Sequence, residues 1–97
     1  MPAELILRTR ELIGDVLLEM VLWRVPTPIP GCVHCFKYRF YAGLLDGSCL
    51  VRYDNERGKG DHRHIAGREE PYEFTTLVRL KDDFRADVLR LIKETEL

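Results

Sequence analysis

The chain has 97 residues, of which 45% are apolar and 32% charged, a composition that predicts one folded domain over residues 1–97 and excludes a disordered tail. There is no apolar stretch near the about 20 residues of a membrane span, no signal-peptide pattern, and too few cysteines for a secreted disulfide scaffold, so we expect a cytoplasmic protein. Residues 24–68 carry eight Lys and Arg against four Asp and Glu, whereas residues 69–97 carry five against eight, which predicts a basic working surface and an acidic C-terminal element.

Two strands are predicted before residue 26. Residues 4–10 alternate in polarity, which places Leu5, Leu7 and Thr9 on one side of a first strand. A turn is expected at residues 14–15. The spacing of residues 16–25 suits either a buried helix or a strand, and the strand is favoured because its second half is rich in β-forming residues. The proline-rich residues 26–31 then form a stiff connector.

The clearest local signal is Asp46-Gly47, which favours a two-residue hairpin turn because both turn positions require positive φ. The turn sets a register of four opposed pairs: Leu45 and Ser48, Tyr41 and Arg52, Phe40 and Tyr53, and Arg39 and Asp54. One face then holds Phe36, Tyr38, Phe40, Ala42, Leu44, Cys49, Val51 and Tyr53, with Cys49 expected to fill the core. The other holds Lys37, Arg39, Tyr41, Leu50, Arg52 and Asp54, joined by Arg8, Arg10, Glu19 and Trp23.

The C-terminal segment predicts one long helix from about Thr76, with Thr75 or Thr76 as its N-cap. Its apolar stripe comprises Leu77, Leu80, Phe84, Val88, Leu91 and Ile92, and its opposite flank, with Asp82, Asp83 and Asp87, is expected to face solvent. The fold class is therefore α+β: a small antiparallel sheet of about four strands, covered on one face by this helix. The basic face stays uncovered.

Residues 52–68 are expected to form a polar loop that carries chemistry, because no apolar residue occurs between about Asp54 and Ile65. In Arg57-Gly58-Lys59-Gly60, cations alternate with glycines, so that the backbone can approach an anion while the side chains clamp it. His62 and His64 are two residues apart and point the same way if the segment is extended.

This set of residues supplies what RNA cleavage without a metal requires: a base, an acid and cations around the phosphate. His62 and His64 can exchange protons near neutral pH, and His34 can substitute for either. The expected phosphate contacts are Arg57, Lys59 and Arg63, extended by Lys37, Arg39 and Arg52, while Trp23 and Tyr41 can stack on bases. The alternative is a solvated loop whose histidines make caps or core contacts.

Metal and redox sites are weaker interpretations, and no metal or cofactor is expected. Cys32-Val-His-Cys35 with His62 and His64 has the composition of a zinc site but not the spacing of a zinc finger. A Cys-x-x-Cys redox site would need a following helix, whereas a strand follows here. Asp54, Glu56 and Asp61 can bind Mg²⁺, but the interleaved cations compensate these carboxylates, and Asp54 is expected to pair with Arg39.

The stretch Tyr53-Asp-Asn-Glu-Arg-Gly-Lys-Gly-Asp-His-Arg-His64, together with His34-Cys-Phe-Lys-Tyr-Arg39, resembles the TumE family of small bacterial and archaeal proteins. The resemblance implies the toxin half of a type II toxin–antitoxin pair, restrained by a helix-turn-helix antitoxin. The residues that it singles out are His34, Lys37, Tyr53, Asp54, Asn55, Arg57, Lys59, Gly60, His62 and His64. Cys32 and Cys35 depart from the family pattern.

The leading hypothesis is a toxin that inhibits growth by cleaving RNA with His62 and His64, supported by Tyr53, Asp54, Asn55, Gly58, Gly60 and Asp61. A second hypothesis is a non-catalytic module that blocks a nucleic acid or a protein by occupancy, for which the cations matter and the histidines do not. A third is an enzyme acting on another phosphorylated substrate, such as a nucleotide transferred to a target. The expected partners are the antitoxin, RNA, and a second copy paired through an edge strand.

Overall fold

The computed structural model describes residues 2–95, which form one antiparallel sheet and one helix. Six strands follow one another as a meander in the order β1-β2-β3-β4-β5-β6, so each strand pairs with its neighbour along the chain. The elements are β1 (Glu4–Ile13), β2 (Val16–Arg24), β3 (Phe36–Leu44), β4 (Cys49–Glu56), β5 (Gly60–Ile65), β6 (Arg68–Pro71) and α1 (Leu77–Thr95). In the described residues, no helix is long and apolar enough to cross a membrane.

The core lies between the sheet and α1. Alternate residues of the middle strands point into it, as Leu18, Phe40 and Tyr53 do, because successive side chains of a strand face opposite sides. The Phe84 ring of α1 meets the rings of Phe40 and Tyr53 edge-on. The helix begins as predicted, since the Thr76 hydroxyl accepts a hydrogen bond from the Arg79 amide.

The sheet has six strands rather than about four, because residues 60–71 form a hairpin where a loop was expected. Its turn contains Ala66 and Gly67, both with positive φ, which is typical of a tight two-residue hairpin turn. Its first strand, β5, has polar residues on both faces and therefore lacks the alternation that marks a half-buried strand.

The β3–β4 turn differs from the prediction, yet most of the predicted register holds. The loop has three residues, with hydrogen bonds from the Gly47 amide to the Leu44 carbonyl and from the Leu44 amide to the Ser48 carbonyl. Leu45 therefore does not lie opposite Ser48. A register shift between Ala42 and Gly43 leaves one extra residue on β4 and restores the predicted pairs Tyr41–Arg52, Phe40–Tyr53 and Arg39–Asp54.

Register shifts of this kind place two side chains on the face of the sheet opposite to the predicted face. Cys49 lies opposite Gly43 and is exposed, so the prediction that it fills the core is wrong. Leu5 lies opposite Trp23, across a register shift from Leu7, and so does not share the side of Leu7 and Thr9.

Asp87 is buried, which corrects the prediction that it faces solvent with Asp82. Its carboxylate accepts hydrogen bonds from the Tyr53 hydroxyl and, at 3.1 Å, from Arg63 Nη1. Because these donors belong to β4 and β5, the buried carboxylate fastens α1 to the sheet. Asp83 also points toward the fold and accepts a hydrogen bond of 2.6 Å from the Tyr72 hydroxyl.

Candidate active site on the open face of the sheet

The face of the sheet that α1 does not cover, called the open face below, carries two rows of opposed residues. Directly opposed residues of antiparallel strands point to the same side, so each row is a line of neighbouring side chains across the sheet. The His64 row comprises Arg10, Glu19, Tyr41, Arg52, His64 and Glu69. The His62 row comprises Arg8, Val21, Arg39, Asp54, His62 and Pro71.

His62 and His64 share the open face, as an extended segment predicts, with their ring centroids 5.6 Å apart. They differ in accessibility, since the His62 side chain is 5% exposed and that of His64 is 25% exposed. Of the two rings, His64 is therefore the one that a large substrate can reach.

His62 is held between a backbone carbonyl and a carboxylate. Its Nδ1 lies 3.1 Å from the Gly60 carbonyl oxygen, and because a carbonyl only accepts hydrogen bonds, Nδ1 donates. Its Nε2 is in close contact with Oδ1 of Asp54, and these two buried atoms do not form a hydrogen bond. The second oxygen of Asp54 lies 3.2 Å from Arg52 Nε, so Asp54 lies between His62 and Arg52. Asp54 thus pairs with Arg52 and His62 rather than with Arg39.

The hydrogen bond to Nε2 of His64 holds this ring in its neutral form. Its Nε2 lies 2.9 Å from Arg52 Nη2, and because a guanidinium only donates, Nε2 must accept and the ring proton must lie on Nδ1. Glu69 Oε2 is 3.8 Å from the same nitrogen. The arrangement presents a half-buried imidazole whose basic nitrogen is occupied by a cation that can also bind phosphate.

The predicted phosphate-binding cations separate into two groups. Lys37, Arg39 and Arg52 line a depression of about 300 Å³ on the open face, with Asp54 and Glu56. Within residues 2–95, Lys37 and Arg39 form no ion pair and are exposed. Arg57 is exposed in the β4–β5 turn, and Lys59 is 3.8 Å from Glu69 and 3.9 Å from Glu56.

Arg63 does not join these cations, because strand alternation turns it toward α1. Its guanidinium donates to Glu70 at 2.7 Å, to the Tyr53 hydroxyl at 3.0 Å and to Asp87 at 3.1 Å. The structure therefore does not bring Arg63 together with the other predicted phosphate contacts on the open face. Tyr53 is buried in the same network, where burial and its hydrogen bond to Asp87 raise its pKa.

His34 also lies on the α1 side of the sheet, apart from the other two histidines. Its Nδ1 accepts a hydrogen bond of 3.2 Å from the Phe36 amide, so the ring proton is on Nε2, which donates to Asp61 at 2.8 Å. The Tyr38 hydroxyl donates to the same carboxylate at 2.5 Å. The Phe74 ring stacks on His34 at a centroid distance of 3.8 Å. Both nitrogens of His34 are thus engaged, and the structure does not bring this ring together with His62 and His64 on the open face.

The cysteine and histidine residues of the zinc hypothesis are not brought together. Cys32 lies beside His34 and Asp61, whereas His62 and His64 occupy the open face. The Cys32–His34–Asp61 cluster does not suit a metal, because the proton on Nε2 of His34 points at Asp61. Burial, followed by the charge of Asp61, raises the pKa of Cys32 and keeps it a thiol.

Two further groups with metal-binding side chains lie on the open face: His62, His64 and Glu69, and Asp54, Glu56 and His62. Protein cations already contact members of both groups. Arg52 contacts both Asp54 and His64, and Lys59 lies beside Glu69. Asp61, the third carboxylate of the magnesium hypothesis, faces the α1 side.

Two of the predicted supporting residues, Asn55 and Gly58, form hydrogen bonds to the backbone. Asn55 is buried, and its side chain continues the sheet hydrogen bonding by accepting from the Tyr38 amide at 3.0 Å and donating to the Phe36 carbonyl at 2.7 Å. The Gly58 amide donates to the Pro30 carbonyl at 2.7 Å, so this amide is not free to hold an anion. The sequence analysis did not single out Glu69 and did not find that Asp87 is buried. Asp87 could have been found, because it recurs at helical spacing with the buried Phe84 and Leu91.

Comparison with known proteins identifies the family. Neither a search of the curated proteins nor a search of the solved structures gave a match. The family model described as Toxin TumE matches residues 2–92, which include all six strands and most of α1. The chain therefore belongs to the TumE family of toxins.

Proposed function

We propose that this toxin inhibits growth by cleaving RNA on its open face, without a metal, and that His64 is the proton acceptor. The observation that carries the proposal is the contact of 2.9 Å between Nε2 of a neutral, partly exposed His64 and Arg52, at the edge of a basic surface. A phosphodiester that draws Arg52 to its oxygens would release this nitrogen at the place where a base is needed.

The proposed reaction is an internal displacement at phosphorus. The proton of the ribose 2′-hydroxyl moves to Nε2 of His64, the 2′-oxygen bonds to phosphorus, and the bond to the 5′-oxygen breaks. Water protonates the departing 5′-oxygen, so the products are a 2′,3′-cyclic phosphate and a 5′-hydroxyl. General base catalysis of this kind contributes roughly 10²–10⁴-fold.

The neighbouring side chains have supporting roles in this proposal. Lys37, Arg39 and Arg52 stabilise the charge that builds up on the phosphoryl oxygens, and Arg57 and Lys59 of the β4–β5 turn contribute further positive charge. His62 is a positioning residue rather than the proton donor, because its side chain is 5% exposed and holds Asp54, which in turn holds Arg52.

Growth arrest after induced expression tests the assignment. His64→Ala should abolish arrest while the purified variant keeps the circular dichroism of the parent, and the His62→Ala/His64→Ala double variant should also be inactive. Arg68→Ala, an exposed change on the adjacent β6, is the matched control and should remain toxic. Full arrest by a folded His64→Ala variant would show that the acid–base assignment is wrong.

Occupancy of a nucleic acid without catalysis is the second candidate, favoured by the exposed Lys37 and Arg39, which pair with no carboxylate within residues 2–95. The double variant Lys37→Ala/Arg39→Ala should weaken RNA binding. It should also make the plot of log binding constant against log salt concentration less steep, by the amount that about two phosphate contacts contribute. Cleavage that persists at high concentrations of this double variant supports the enzyme, whereas toxicity that follows occupancy alone and ignores His64 supports the binding module.

The toxin family implies an antitoxin partner, and we propose a helix-turn-helix protein of a type II pair. The open face is the expected docking surface, since covering it would block His64 and the free cations at once. A second copy of the toxin can pair through β1, a strand of ten residues with a free edge.

A further inference from the structure

The open face contains a second concave region, a hollow of about 470 Å³ between β1 and the β3–β4 hairpin. On β2 it is lined by Leu17 and Val21 with Glu19 between them, and its other polar side chains are Arg10 and Arg39, with Tyr41 beside them. Apolar side chains with a few convergent polar groups are typical of a site for a small ring system.

Tyr41 is the aromatic side chain that lines this hollow. Gly43 follows two residues later on the same strand face, and a Cβ atom built on Gly43 would lie 2.6 Å from Cζ of Tyr41. The phenol end of Tyr41 therefore lies over the Gly43 backbone, in space that any other residue at position 43 would fill. This contact fixes the side chain beside the hollow, where an aromatic ring can stack on a base.

Glu19 supplies the hydrogen-bond acceptor beside Tyr41. It lies between Arg10 and Tyr41 in the His64 row, and within residues 2–95 it forms no ion pair. An ionised carboxylate only accepts hydrogen bonds. Guanine is the base whose Watson–Crick edge presents two adjacent donors, N1–H and N2–H, next to the O6 acceptor. Adenine, cytosine and uracil do not offer this pair of donors.

The hollow also lies within reach of the proposed cleavage site. Tyr41 is directly opposite Arg52, and Arg52 is directly opposite His64. Two strand spacings of about 4.8 Å each separate Tyr41 from His64 in the sheet. A nucleotide whose base stacks on Tyr41 can thus direct its phosphate toward Arg52.

We propose that this hollow binds a guanine base of single-stranded RNA, which stacks on Tyr41 and donates N1–H and N2–H to the Glu19 carboxylate. Arg10, opposite Glu19, donates to O6. The inference rests on the proposed function in taking RNA as the ligand, and it adds a base preference: cleavage occurs on the 3′ side of guanosine.

Calorimetric titration of the full chain with the four nucleoside 3′-monophosphates tests the site. Guanosine 3′-monophosphate should bind at least about tenfold more tightly than the adenosine, cytidine and uridine compounds. Glu19→Gln should reduce this preference to less than about threefold, and Tyr41→Leu should weaken all four nucleotides by about tenfold. Glu11→Gln is the matched control, because it removes the same charge from the neighbouring strand on the α1 side, and it should leave the preference intact.

These nucleotides contain no bond that the proposed reaction can break, so the titration reports base binding whether or not the chain cuts RNA. Guanine preference without RNA cleavage would overturn the proposed function alone. Equal affinities, an undiminished preference in Glu19→Gln, or no binding of any nucleotide would overturn the guanine site. If no nucleotide binds and the antitoxin protects the hollow, the guanine site is wrong and the hollow is part of the surface that contacts the antitoxin.

Discussion

Gly31 and Gly60 meet backbone to backbone: a Cβ atom on Gly31 would lie 2.9 Å from the Gly60 amide nitrogen. The adjacent Pro30 carbonyl accepts a hydrogen bond of 2.7 Å from the Gly58 amide. The proline-rich connector is therefore docked on the β4–β5 turn. The two glycines around Lys59, which suggest an anion-binding loop in the sequence, are explained by this close packing and by their positive φ.

Because of this contact, we expect that adding one methyl group at Gly31 lowers the free energy of unfolding substantially. Gly31 and Gly47 have nearly the same positive φ, 97° and 96°, but a Cβ atom on Gly47 would meet open space. Gly47→Ala should therefore cost only the left-handed strain of about 1 kcal/mol in the free energy of unfolding. Gly31→Ala should cost about 3 kcal/mol or more, because backbone atoms must also move apart. Urea denaturation measures both, and equal costs would contradict the packing.

Because Asp87 is buried and Asp82 is exposed, we expect substitutions at these two helix positions to differ in their effect on stability. Asp87→Asn removes the charge that pairs with Arg63, which should lower the free energy of unfolding by about 2–3 kcal/mol. The loss falls short of the full cost of breaking a buried ion pair because the Arg63 side chain is 29% exposed.

Asp82→Asn on the exposed side of the same helix is the control and should change stability by less than about 0.5 kcal/mol. Thermal or urea unfolding measures the two variants under the same conditions. If both substitutions had the same small effect, the role of Asp87 in fastening α1 to the sheet would be wrong.

Three buried tyrosines should make the stability of the fold depend on pH in the alkaline range. Burial raises the pKa of Tyr38, Tyr53 and Tyr72, and each donates a hydrogen bond to a carboxylate that raises it further. The unfolded chain releases these protons near the ordinary value of about 10, while the folded chain retains them. The stabilisation is therefore complete below about pH 10 and is lost as the pH rises above it.

Ultraviolet absorbance of tyrosinate, followed with circular dichroism on the same sample, checks this behaviour. The signal of these three phenols should appear only together with loss of structure. Ionisation of all tyrosines at a pH where the fold is intact would contradict the buried hydrogen bonds. Tyr53→Phe should reduce the absorbance step that accompanies unfolding.

The first four strands and the helix could be predicted from the sequence, because residues 4–10, β3 and α1 have a clear apolar period, and β2, whose spacing is ambiguous, is rich in β-forming residues. The register of β3 and β4 was predicted through an incorrect turn: the three-residue loop adds one residue, and the bulge near Leu50 absorbs it. The same bulge moved Cys49 to the open face. A one-residue bulge leaves no trace in the alternation pattern, so sequence alone could not locate it.

The site could be predicted only in part, because β5 carries polar side chains on both faces. The shared side of His62 and His64 follows from strand period, but burial does not. His62 is covered while His64 is partly exposed, although they are two residues apart. Arg63 and Asp61 find polar partners on the α1 side, from elements distant in the sequence. Local patterns do not contain such pairings.

Cleavage of a defined single-stranded RNA by the purified chain in the presence of EDTA tests the central claim most directly. We expect products with a 2′,3′-cyclic phosphate, no cleavage of a 2′-O-methyl substrate, and loss of at least about 100-fold in rate for His64→Ala. His34→Gln is the matched control: it removes an imidazole on the α1 side and should retain cleavage per folded molecule. Undiminished cleavage by His64→Ala, or cleavage that EDTA abolishes, would contradict the account.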